Sequence, residues 1–172
     1  GDEKIANIKI YKAEFIDGKW SNITALPFCN DLYSTEHPVL TKDGKKLYFS
    51  SDMPGTLGSF DLFVVDVNED GTYGTPVNLG NAVNTIHREQ FPEISNDGSI
   101  LYFASDGHQG MGGLDIFMSK SLNGGPFAKP INLGETINSN LDDFGYVVDE
   151  KKNLGYFSSN RKLGDALYSF TR

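Results

Sequence analysis

The sequence predicts an all-β protein, a partial β-propeller of about three blades of four antiparallel strands. Three observations carry this. Tyr48-Phe49-Ser50-Ser51-Asp52 recurs as Tyr102-Phe103-Ala104-Ser105-Asp106 and as Tyr156-Phe157-Ser158-Ser159-Asn160, each copy 54 positions after the last. Such a period marks a solenoid, propeller or array. Every copy breaks into short apolar runs between turn residues, without a sustained helical period. Finally, the Leu47-Tyr48-Phe49 run is apolar at consecutive positions, so both faces of its strand are buried. A two-layer sandwich would alternate, whereas radially stacked sheets bury both faces.

Each repeat opens with a strand, Glu36 to Leu40 in copy one, Gln90 to Ile94 in copy two and Asp143 to Val147 in copy three. A tight turn follows, with Asp43-Gly44 and Asp97-Gly98 supplying the positive φ that primed hairpin turns need. Copy three has the looser Asp149 to Asn153 there. After the Tyr-Phe strand comes a glycine-rich loop, Asp52 to Ser59 and Asp106 to Gly113, shortened in copy three to Asn160 to Gly164. Asp61, Asp115 and Asp165 are each expected to close that loop and open the third strand. The fourth element is Pro76-Val77-Asn78-Leu79-Gly80, matched by Pro130-Ile131-Asn132-Leu133-Gly134. A connector such as Asn81 to Thr85 leads on.

The N-terminal segment fits the same frame. Ile8 to Lys12 lies 54 positions before Leu62 to Asp66 and reads as a third strand, with a turn at Asp17-Gly18 and a fourth element at Ile23 to Leu26. The chain is therefore expected to be one segment, residues 1–172, divided near 1–34, 35–88, 89–141 and 142–172, with incomplete terminal blades. Closed propellers have about 4–8 blades. The expectation is that the segment belongs to a larger propeller or that self-association completes a ring.

Composition narrows function. The formal charge of −8 argues against nucleic acid, whose partners carry a basic face. Lys42, Lys45 and Lys46 are the one dense basic group, on a turn. No apolar run reaches the ~20 residues needed to span a bilayer, so no direct membrane insertion is expected. The single cysteine, Cys29, leaves no intrachain disulfide and reads as a small apolar residue.

The string Asp43 to Asp52 resembles the WD40-like, TolB-type propeller repeat. Its longer form, Leu101 to Phe117, with Pro-x-Asn-Leu-Gly and Tyr168-Ser169-Phe170, is similar to the propeller segment of Bacteroidetes OmpA-family lipoproteins, over residues 5–171. That resemblance implies a scaffold in the periplasm, associated with the outer membrane, with protein partners of the cell envelope.

Catalytic and metal chemistry find little support. The in-frame aspartates, Asp52 and Asp106 and separately Asp61, Asp115 and Asp165, invite a glycosidase reading. That chemistry needs two carboxylates about 5–10 Å apart in one cleft, whereas equivalent positions in successive blades are spread around a ring. Each flanks a loop whose N–H groups a carboxylate can accept. No Asp-x-Asp-x-Asp-Gly spacing suggests calcium. His37, Ser50 and Asp52 form no recognisable triad, and no hydrolase elbow, zinc pair or phosphate loop appears. No cofactor, metal or catalytic residue is assigned. The expected function is a non-enzymatic protein-interaction scaffold, with a carbohydrate- or peptidoglycan-binding propeller as alternative and a propeller hydrolase behind it. Candidate interaction positions are those that break the repeat: Met53, His108, Gln109, Met111, Arg161 and Lys162 in the glycine loops, and Glu36, His37, Arg88, Glu89, Asp142 and Asp143 before the first strands. Binding residues concentrate on such loops.

Overall fold

The computed structural model describes residues 7–172; residues 1–6, at the start of the first expected repeat, lie outside it. The described residues form thirteen strands in four antiparallel sheets and no helix. A hairpin comes first, β1 (Tyr11–Ile16) with β2 (Lys19–Ala25). The first complete sheet is the meander β3 (Thr35–Leu40), β4 (Lys46–Ser51), β5 (Asp61–Asp66) and β6 (Val77–Asn78). Its repeat is β7 (Glu89–Ile94), β8 (Ile100–Ser105), β9 (Asp115–Lys120) and β10 (Ile131–Asn132). The last sheet has three strands, β11 (Asp143–Asp149), β12 (Leu154–Ser159) and β13 (Ala166–Thr171).

Local chemistry makes these strands. At the β3–β4 turn Gly44 holds φ +72°, while the Asp43 carboxylate accepts from the Thr41 hydroxyl and the Lys45 N–H at 2.7 and 3.1 Å. The β7–β8 turn repeats this: Asp97 accepts from Ser95 and Ser99, and those bonds hold its carboxyl down to about 2. Both faces of the second strand are covered, with Tyr48, Phe49, Tyr102 and Phe103 all buried.

Apolar layers fill the spaces between sheets. Tyr48 and Leu62 of the first sheet meet Ile94, Leu101, Phe103 and Phe117 of the second. Tyr102 and Ile116 of the second meet Tyr146 and Phe157 of the last. On the other side of the first sheet, Phe49 and Phe63 pack with Ile10 and Leu26, and Cys29 joins that cluster half-buried.

A buried asparagine locks each of the two later connectors. Asn84 accepts from the Leu62 N–H at 2.8 Å and donates to the Leu62 carbonyl at 3.0 Å, standing in for a backbone neighbour. Asn138 does the same to Ile116, at 2.8 and 2.9 Å.

Two expectations need correcting. The N-terminal strand matches the repeat two residues out of the expected frame: the Leu26 N–H bonds the Ile10 carbonyl as Leu79 bonds Leu62 and Leu133 bonds Ile116. Ile10, not Ile8, therefore answers to Leu62; the hairpin and its connector differ in length from the later ones. Asp165 does not occupy the place of Asp61 and Asp115. Those two pair with Ser51 and Ser105 and are buried, whereas the partner of Ser159 is Ala166. The shortened loop leaves Asp165 exposed, one residue before β13.

Candidate functional site

The loop carboxylates bond chiefly to the backbone. Asp61 accepts from the N–H groups of Leu57 and Gly58 and from Asn78 Nδ2, and Asp115 accepts from the N–H groups of Met111 and Gly112 through Oδ2, while its buried Oδ1 has no hydrogen-bond partner. Asp52, Asp106 and Asn160 each accept from the backbone N–H of the residue just before a first strand: Ser34, Arg88 and Asp142, at 2.6, 2.8 and 2.8 Å. Arg88 also pairs with Asp106 at 2.7 Å. Asp142 bonds the Leu114 N–H and Asn160. Glu89, fully buried, collects Thr85 N–H, Thr85 Oγ1 and Ser105 Oγ, each within 2.8 Å; burial pushes its carboxyl above the usual range. Of the expected interaction residues, Arg88, Glu89 and Asp143 thus brace the loop and connector of their own sheets, while Asp142 reaches back to the sheet before.

Three more fill a common slot. His108 bonds the Val83 carbonyl at 2.7 Å and packs against Phe103 and Phe117. Arg161 reaches the Ile137 carbonyl, lies 5.0 and 4.9 Å from the rings of Phe157 and Tyr168, and pairs with Asp143 at 2.5 Å. Val83 and Ile137, Phe103 and Phe157, and Phe117 and Tyr168 are repeat counterparts by register. In the first sheet Met53 is buried in the cluster of Phe49 and Phe63. These residues break the repeat because three chemistries solve one packing task, which corrects the expectation that they decorate exposed loops. Gln109, Met111 and Lys162 are exposed.

What remains is a strip along the first strands. β3, β7 and β11 lie side by side, and each is interrupted by a bulge at the same place. His37 and Pro38 oppose one residue of β4, Phe91 and Pro92 one of β8, and Gly145 and Tyr146 one of β12. The first residue of each pair is left-handed, at φ +52°, +53° and +63°. Glycine adopts that conformation freely; for His and Phe it is strained by about 1 kcal/mol or more. His37 and Phe91 nevertheless hold it, and their rings stack with centroids 3.7 Å apart. Phe144 continues the row, 5.0 Å from Phe91. All three are half-buried, with one side open to solvent.

A polar pair runs beside the rings. Gln90 Nε2 donates to Glu36 Oε1 at 2.5 Å, and burial raises the Glu36 carboxyl above its ordinary value. Burial also lowers His37 to about 4, so the imidazole is neutral at pH 7. Its Nδ1 sits 3.5 Å from Glu36 Oε1 with no hydrogen-bond partner. The strip offers the edges of a stacked aromatic row beside a buried acid–amide pair, with one imidazole nitrogen buried and unpaired beneath it. No group of three or more His, Cys, Asp or Glu side chains suited to a metal ion occurs among the described residues.

Sequence reasoning found Glu36 and His37 but missed Gln90, Phe91 and Phe144, which read as strand interior. The signal was present: positions 37, 91 and 145 carry His, Phe and Gly, and a glycine in register with two aromatics points to a left-handed backbone in all three.

Compared with solved structures, the chain is similar to a Mycobacterium tuberculosis puromycin-hydrolysing peptidase, with TM-score 0.52 and 16% identity over 98% of this chain and 26% of that one. It spans about a quarter of that protein's length, and a likeness at this identity concerns fold alone. No family model and no curated protein matches the sequence.

Proposed function

We propose that the chain is a β-propeller segment acting as a non-enzymatic interaction module, holding a protein partner against the strip of His37, Phe91 and Phe144. One observation carries this reading. Two aromatic side chains sit at left-handed positions that the third copy fills with glycine, and strain of that kind gathers at functional sites. The loop carboxylates that a hydrolase would use are engaged in backbone hydrogen bonds, which supports binding over turnover. The propeller arrangement is supported by the meandering sheets packed face to face in sequence order. The repeat resemblance favours a periplasmic, outer-membrane-associated setting with cell-envelope partners.

The test is capture of partners from envelope extracts by immobilised protein, followed by affinity measurement on the partner identified. Phe91→Gly relieves backbone strain while removing the ring, so the fold is expected to persist and affinity to fall at least about tenfold, or ~1.4 kcal/mol. Unchanged affinity in Phe91→Gly and Phe144→Ala would overturn the reading.

A second reading is favoured by the same strip, since the half-exposed edge of an aromatic row beside the amide of Gln90 and the carboxyl of Glu36 also suits the mixed apolar and hydroxyl surface of a sugar. Saturable binding of peptidoglycan fragments, lost in Phe91→Gly, would establish it. Turnover of a glycan or peptide abolished by Asp106→Asn would establish an enzyme.

A further inference from the structure

We infer that a second copy of this chain covers both open ends, head to tail: the last sheet of one copy docks on the N-terminal hairpin of the other, and two such contacts close a ring. The inference rests on the propeller reading above and names one partner for it.

Each internal junction joins two different faces. The forward face of the first sheet presents Tyr48 and Leu62, which pack under Phe103 and Phe117 on the backward face of the second. At the next junction Tyr102 and Ile116 play the forward part. All four forward side chains are at most 6% exposed.

The last sheet displays the same forward face with no sheet on it. By register Tyr156 answers to Tyr48 and Tyr102, and Leu167 to Leu62 and Ile116; they are 46% and 77% exposed. The hairpin displays the backward face. Tyr11 follows Ile10 as Phe63 follows Leu62, yet it is 59% exposed where Phe63 is 3%. On the same side of the hairpin Phe15 and Trp20, paired across the strands with centroids 5.1 Å apart, are 63% and 69% exposed.

The two free faces are therefore opposite halves of a junction already made twice within the chain. A second copy supplies each with the half it lacks. The contact is heterologous, so two copies related by a two-fold close without leaving a free face. Two sets of four sheets also fall within the range of about 4–8 that closed propellers adopt.

The test is the mass of the chain by sedimentation equilibrium across a concentration series, against 18.9 kDa for one copy. A dimer is expected. Trp20→Glu and Leu167→Glu alter exposed side chains on opposite faces, and each is expected to weaken dimerisation at least about tenfold. Ile131→Glu, at an exposed position on β10 away from both faces, is expected to leave it unchanged. Mixing the Trp20→Glu and Leu167→Glu proteins is expected to restore a dimer through the one intact junction. Circular dichroism checks folding, and Phe15→Lys and Tyr156→Lys repeat the test should either Glu variant unfold. A monomeric wild type, a dimer sensitive to one face only, no rescue on mixing, or growth into long polymers would each overturn the inference. Failure here leaves partner affinity at Phe91 as it was, and loss of that affinity leaves the mass unchanged, so the two readings fail separately.

Discussion

Replacing Glu93 by glutamine should stabilise the protein by an amount that grows as pH rises from 4.5 to 7 and levels off above that. Glu93 lies in β7, where burial raises its carboxyl to about 7 and the neighbouring Glu150 adds to the effect. In the unfolded chain it returns to 4.5. A folded value above the unfolded one means stability is complete below pH 4.5 and is lost as pH rises through 7. The gap of about 2.5 pKa units is worth ~3.4 kcal/mol, reduced to about 2–3 kcal/mol because part of the carboxyl still meets water. Glutamine keeps the shape and never ionises. At pH 8 the variant should therefore gain about 2–3 kcal/mol in urea denaturation, roughly 5–10 °C in Tm for a chain of this size. The two proteins should converge toward pH 4. Glu150→Gln should give a smaller gain, since it removes only the repulsion. A Glu93→Gln protein no more stable than wild type at pH 8, or more stable by the same amount at every pH, would refute the assignment.

Three further outcomes are expected. His37 behaves with the opposite sign: its folded value of about 4 lies below the unfolded 6.5, so its stability is complete above pH 6.5 and is lost as pH falls toward 4, by up to about 3 kcal/mol. His37→Phe should flatten that part of the Tm–pH curve, and an unchanged slope would count against a buried neutral imidazole. Gly58→Ala would set a Cβ 2.3 Å from the Ile86 backbone, in the connector to the next sheet, and should cost about 2–4 kcal/mol. Gly74→Ala, with nothing closer than 3.6 Å, should be tolerated in the same denaturation assay. Asn138→Ala should cost about 1–3 kcal/mol, because it leaves the Ile116 N–H buried without a partner, while the Ile116 carbonyl keeps only the Leu133 N–H.

The strands and their order were legible because apolar runs and Asp-Gly turns are local, and because the repeat checks each against its copies. The frame slipped where the copies differ in length. The hairpin is offset by two residues, and the shortened third loop moved Asp165 out of the strand that Asp61 and Asp115 open. The candidate site was legible only in half. Departure from the repeat picked out Met53, His108 and Arg161 as surface, whereas packing put them in a shared slot. Composition does not report that methionine, imidazole and guanidinium can each cover the same pair of rings. The strip escaped notice because a bulge is a backbone event, and Phe91 and Phe144 look like ordinary strand residues until φ is known.

The slot and the residue that opens each first strand vary together. Thr35 stands in the sheet of Met53, Glu89 in that of His108 and Asp143 in that of Arg161, so a neutral plug shares its sheet with a neutral residue and a basic plug with an acid. Both members of a pair stand in one sheet, so each sheet carries its own partner with it whichever neighbour it packs against. Changing the plug alone, as in Arg161→Met, would leave the buried Asp143 carboxylate without its guanidinium, and an unpaired buried charge is strongly destabilising. The two positions therefore change as a unit, and a repeat can trade one plug for another only by trading the residue that opens its first strand as well.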